Sequence, residues 1–101
     1  MVRPPMDTPW GNTKTLRARK LRPGPGTSRE AVRKSQRDRL FAAMVASATE
    51  RGYEATSIAD LITVSGVSRT SFYEHFSDKQ DCFVATLRAL LDKTAGLTAH
   101  N

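Results

Sequence analysis

Val67-Ser68-Arg69-Thr70-Ser71-Phe72-Tyr73-Glu74-His75-Phe76 decides the fold of this 101-residue chain. The stretch follows a lone Gly66 and precedes Ser77-Asp78-Lys79. With Ser68 as N-cap, Val67 becomes the N′ residue and Phe72 the N4 residue, the two ends of a hydrophobic staple. Phe72 and Phe76, four apart, share one face of the resulting helix. Arg69, Thr70, Ser71, Tyr73 and His75 then point elsewhere, all of them able to donate hydrogen bonds. A short helix pinned along one apolar edge, with polar donors on the other, suits a nucleic-acid groove.

Upstream of it, Thr56 or Ser57 can cap a helix over about 57–64, with Asp60 in the first turn where it complements the helix dipole. Ile58, Leu61 and Ile62 follow the i, i+3, i+4 rule of a buried face. Val64-Ser65-Gly66-Val67 then reads as a tight turn in which glycine supplies a positive φ. Earlier still, Thr27 with Glu30 forms a capping box, with Ser28 as the other candidate cap, and neither Gly nor Pro recurs until Gly52. A long helix over about 28–51 follows, with Leu40, Phe41, Met44, Val45 and Ala48 as its apolar stripe. Arg37, Asp38, Arg39, Glu50 and Arg51 are placed outside that stripe. Downstream, Ser77-Asp78-Lys79-Gln80 is a further capping box, starting a helix over about 78–95 whose apolar stripe is Phe83, Leu87, Leu90 and Leu91. Gly96 closes it, and 96–101 form a short tail. Nothing reads as a strand. The expected fold is all-α, a small bundle of four helices with a helix-turn-helix of homeodomain-like type, spanning residues 27–95.

Residues 1–26 contrast with that domain. They hold all five prolines, and their apolar residues show no period. Six cations against Asp7 give this stretch a net +5, leaving +1 for residues 27–101. It reads as a disordered basic arm, and the chain's pI near 10.1 directs attention to a polyanionic partner. A single cysteine, Cys82, excludes an internal disulfide and fits a reducing cytoplasm. No apolar run approaches the ~18–20 residues of a membrane span, and the N-terminus lacks the apolar segment of a secretory signal.

Helix, glycine turn, helix is the arrangement of helix-turn-helix DNA-binding proteins. Arg69, Thr70 and Ser71 at the start of the second helix are side chains that read base edges or phosphates. Tyr73 and His75 can hydrogen-bond phosphate, and Lys79 stands at a helix N-terminus, a natural anion site. The early turns of the first helix, rich in Arg29, Arg33, Lys34 and Arg37, are either a solvated helix start or a phosphate contact. Catalytic chemistry is limited to Cys82, His75, His100 and scattered hydroxyls. Cys82 falls near an apolar stripe, and His75 has no second histidine or thiol at ligand spacing, so neither an enzyme, a metal nor another cofactor is expected.

From about residue 36 to 91 the sequence resembles the N-terminal DNA-binding domain of the TetR family of bacterial transcriptional repressors. The resemblance lies in Gln36-Arg37-Asp38-Arg39-Leu40, Ala42-Ala43, Arg51-Gly52-Tyr53 and Thr56-Ser57-Ile58, then Gly66 through Phe76, Asp78-Lys79 and Cys82-Phe83. It implies a sequence-specific regulator of repressor type, acting on double-stranded DNA in the bacterial cytoplasm at the nucleoid. Arg69, Thr70 and Ser71 would face the major groove, while Tyr73, His75, Lys79 and Thr56 would hold phosphates. Ile62 and Ser65 stand where the family often has alanine, and Ile62 would hold the second and third helices slightly apart. Family members continue into a helical domain that binds an effector and forms the dimer. This sequence stops at Asn101, so no small-molecule pocket is expected and any homodimer or heterodimer would form through the fourth helix. The other function weighed is a non-catalytic helical module, docking through exposed Leu90 and Leu91 on a full-length homologue.

Overall fold

The computed structural model of the chain describes residues 5–19 and 26–98. Two short strands, β1 (Asp7–Thr8) and β2 (Gly11–Asn12), pair antiparallel, with Asp7 opposite Asn12 and Thr8 opposite Gly11. Five helices follow: α1 (Thr13–Ala18), α2 (Arg29–Arg51), α3 (Ile58–Ser65), α4 (Arg69–His75) and α5 (Lys79–Thr98). The all-α bundle expected from the sequence is present, as α2 to α5, with boundaries within a few residues of the expected ones.

The N-terminal segment differs from its reading as a disordered arm. Residues 5–19 form a hairpin and a helix, and polar side chains explain why. The Thr8 hydroxyl donates to the Gly11 carbonyl at 2.8 Å and accepts from the Trp10 amide at 3.2 Å, closing the turn. Asn12 caps α1, accepting from the amides of Lys14 and Thr15. The Met6 carbonyl takes the Thr13 amide, and the Met6 amide donates to the Thr13 hydroxyl. Trp10 then stacks on the body of the protein, its ring 5.3 Å from that of Phe41. Without helical or strand periodicity in so short a piece, these bonds, the aromatic anchor and the packing of α1 on α2 and α3 hold it. The Pro-Gly-Pro run at 23–25 and residues 99–101 lie outside the described residues.

Helix α2 is the axis of the bundle. Ser28 caps it, its hydroxyl accepting from the Ala31 amide at 3.0 Å, and Gly52 ends it at φ +86°. Leu40, Phe41, Ala42, Ala43, Met44, Ala46 and Ser47 are all buried, because the hairpin and α1 cover one side and α3 to α5 the others. Over these central turns the helix is enclosed on nearly every side, as its apolar run from Leu40 to Ala46 requires. The core unites Leu40, Phe41, Met44, Leu61, Val67, Phe72, Phe76 and Cys82, with Trp10 and Phe83 packed against it. Phe72 and Phe76 thus pack in one cluster with Leu40, Phe41, Met44 and Leu61, with Phe83 against it.

Four local expectations are corrected. Arg39 is buried rather than outside the stripe; it lies on the side of α2 carrying the small residues Ala42, Ala43 and Ala46, which leave room for its stem. At the start of α5 the cap is Asp78, whose carboxylate accepts from the Asp81 amide at 2.8 Å, while Asp81 reaches back to the Ser77 amide at 2.9 Å. The cap is thus Asp78 rather than Ser77, without the reciprocal pair of a capping box, and Gly96 lies within α5 rather than ending it. Finally, α5 packs inward with Cys82, Phe83, Ala85 and Ala89, so Leu87 and Leu91 of the expected stripe point outward and are exposed.

Candidate nucleic-acid interface

The candidate edge is built by α3, its turn and α4. Ser57 and Asp60 form a reciprocal capping box at the start of α3, and Gly66 closes it in the left-handed region at φ +73°. Ser68 caps α4 by accepting from the Ser71 amide at 3.1 Å. Val67 and Phe72 are both buried in the core cluster, as a staple requires. With Phe72 and Phe76 inside, α4 can turn only one way. Arg69 and Thr70 are exposed, Ser71 is half-buried at the helix start, and Tyr73 is 49% exposed.

The turn is braced from within. Arg39 on α2 sends Nη1 to the Ser65 carbonyl at 3.0 Å, across 26 residues of sequence. The Ser65 hydroxyl accepts from the Val67 amide at 3.0 Å. Burial pulls the Arg39 pKa below its ordinary value, yet a guanidinium remains charged, and its Nε has no partner among the described residues. A desolvated cation is retained here because its bond fixes the carbonyl that ends α3. Sequence reasoning missed Arg39; the alanines at i+3, i+4 and i+7 were the available signal.

The phosphate-binding candidates separate. Arg37 is exposed and lies over two rings, its guanidinium carbon 5.5 Å from the Phe41 centroid and 5.6 Å from that of Phe76. Those contacts hold the guanidinium itself over the two rings at the surface. Lys79 donates Nζ to the Tyr53 carbonyl at 3.0 Å and stands 4.2 Å above the Tyr53 ring; an ammonium has two further protons to offer. The N-terminus of α5 itself is occupied by the carboxylates of Asp78 and Asp81, so Lys79 acts there without a vacant helix end. Thr56 is removed from the surface: it is buried, and its hydroxyl donates to the Gly52 carbonyl at 2.8 Å.

His75 is also turned inward. Its Nε2 lies 2.9 Å from Gln36 Oε1 on α2, and its Nδ1 is buried without a partner. An amide oxygen facing the ring calls for the tautomer with its proton on Nε2. Burial lowers the His75 pKa first, and the charges of Arg33 and Arg37 lower it further, against a smaller opposing effect of Glu74. The imidazole is a neutral strut between α4 and α2, with neither nitrogen presented to solvent. Beside it, Arg29, Arg33 and Gln36 line a groove with Glu74, so the early cations of α2 flank α4.

Among the described residues no group of His, Cys, Asp or Glu is set to hold a metal ion, and no helix is long and apolar enough to cross a membrane. Comparison with known proteins places this edge in context. The family model for bacterial regulatory proteins of the tetR family matches residues 40–86, the segment from mid-α2 into α5. The HTH-type transcriptional repressor ComR of Escherichia coli (strain K12) is 39% identical over 46 residues, which is 46% of this chain and 22% of that protein. An uncharacterized HTH-type transcriptional regulator, YezE of Bacillus subtilis (strain 168), is 37% identical over 43 residues, again 22% of its length. The match thus spans about a fifth of either relative. No solved structure gave a significant match.

Proposed function

Since residues 40–86 belong to the tetR family of bacterial regulatory proteins, we propose that the chain regulates transcription by seating α4 in the major groove of double-stranded DNA. Arg69, Thr70 and Ser71 meet base edges, and Tyr73, Arg37 and Lys79 hold the backbone on either side. The observation that carries this reading is the orientation of α4, with Val67, Phe72 and Phe76 buried and Arg69 and Thr70 exposed at its first turn. Arg69 has the forked donors that match guanine O6 and N7. The similarity to a protein described as a repressor favours the repressor sense.

One reading helix per chain engages one half-site, so an isolated monomer binds near the non-specific range, about micromolar or weaker at physiological salt. Anisotropy titration against duplexes selected from a random pool tests the assignment. Arg69→Ala should reduce discrimination between selected and scrambled duplexes by about 1–3 kcal/mol while leaving the scrambled affinity nearly unchanged. Equal weakening on every duplex would mean that α4 does not read bases. A second reading, docking on a longer homologue of this chain, draws on Val84, Leu87 and Leu91, which are exposed on one side of α5. Association of that kind would persist at high salt, whereas DNA binding falls steeply.

A further inference from the structure

Helix α1 lies outside the family-matched segment, yet it packs against both α2 and α3. One of its side chains lies against the turn of the helix-turn-helix. A β-carbon placed on Gly66 would stand 2.9 Å from Arg17 Cγ and 3.2 Å from Arg17 Nε. The Arg17 side chain therefore lies flat across the α-carbon of the turn glycine. That close approach is a second reason, besides its left-handed φ, for glycine at this position.

The charge on α1 has one sign. Thr13–Ala18 contains Lys14 and Arg17, no acidic residue, and is followed by Arg19 at the C-cap. Lys14 and Arg17, three apart, lie on neighbouring positions of one face. All three cations are exposed, and none is paired with a carboxylate among the described residues. An arginine held by its stem on a backbone, with its head in solvent, is a cation fixed in position at little entropic cost.

Its position matters because Gly66 is three residues before Arg69. Successive α-carbons are 3.8 Å apart, so Arg17 crosses the backbone at most ~11 Å from the start of α4. The major groove is about 12 Å wide. With the first turn of α4 at the groove floor, a cation at that distance reaches the phosphates of the groove wall. We infer that α1 is an additional DNA-backbone clamp, in which Arg17, laid over the turn glycine, contacts a phosphate flanking the bases that α4 reads. The inference rests on the DNA-binding reading above. The partner is the same duplex, and the added specificity is of register, because a backbone contact positions without identifying bases.

The experiment compares wild type, Arg17→Met and Arg17→Lys by anisotropy across a salt series, on selected and scrambled duplexes. Methionine keeps an unbranched stem over Gly66 and removes the charge, while lysine restores the charge. Arg17→Met should lower the slope of log K against log[salt] by about 0.9 and weaken both duplexes about eightfold at 0.1 M salt. Arg17→Lys should recover the slope, and thermal melts should show both variants folded. Binding by wild type with an unchanged slope in Arg17→Met would overturn the clamp and leave the α4 reading standing. Absence of any duplex binding by wild type at 50 mM salt would overturn both.

Discussion

His75 shows how one ring serves position rather than contact. As a donor two residues beyond Tyr73 it belonged with the phosphate-binding side chains; in the folded chain it spends its proton on Gln36, 39 residues away. Protonating its second nitrogen would place a charge in a site shielded from water and beside Arg33 and Arg37, with only Glu74 opposing. The folded-state pKa therefore lies below the unfolded value of ~6.5. For a base whose pKa is depressed on folding, stability is fully present above the unfolded pKa. It declines as pH falls from there towards the folded pKa, because only the unfolded chain takes up the proton readily. Urea midpoints of wild type should fall between pH 7.5 and 5.5. His75→Gln, which can still bond across to α2, should lose the His75 share of that decline. Parallel pH profiles for the two proteins would mean that His75 titrates freely and is not the strut described.

At the scale of elements, α4 has seven residues, too few to hold as an isolated helix. Its stability comes from the Ser68 cap, the Val67–Phe72 staple and the packing of Phe76. Those three devices act within ten residues, which is why α4, its cap and its buried edge were legible in the sequence. The hairpin and α1 were not, since Thr8, Asn12 and Thr13 shape the segment through paired polar bonds, and Trp10 finds its place only in tertiary contact, against Phe41 and below Lys93. Arg39 and His75 were misread for the same reason: each is explained by a partner more than 25 positions away, Ser65 and Gln36. Leu87 and Leu91 likewise fit a helical stripe by spacing, but the bundle turned α5 to bury Cys82, Ala85 and Ala89 instead. Trp10→Ala tests the docked state of the N-terminal piece. It should lower stability by roughly 1–3 kcal/mol in urea followed by circular dichroism, below the loss for a fully buried tryptophan. An unchanged midpoint would mean that the hairpin does not rest on α2 in solution.

Across the whole molecule, charge and packing are divided along the chain. The core is built by α2 to α5, while residues 1–26 bring a net +5, and α1 carries part of that charge to the turn before α4. On the proposed DNA-binding function, an N-terminal segment of this kind would add affinity without adding base-reading residues, so its effect should be strongest at low salt and fade as ions screen it. At the centre of the bundle, Cys82 is the chain's single thiol, buried at 0% exposure, with burial as the main cause pushing its pKa up to about 12. Its thiolate population is then roughly a thousandfold below that of an ordinary thiol at the same pH. Disulfide-exchange reagents should ignore the native protein and react only with molecules that have opened. The labelling rate, followed with an aromatic disulfide as urea rises, should track the unfolded fraction seen by circular dichroism, and labelling at the speed of a free thiol in native buffer would contradict this packing. The molecule thus carries, at its core, an internal clock for its own opening.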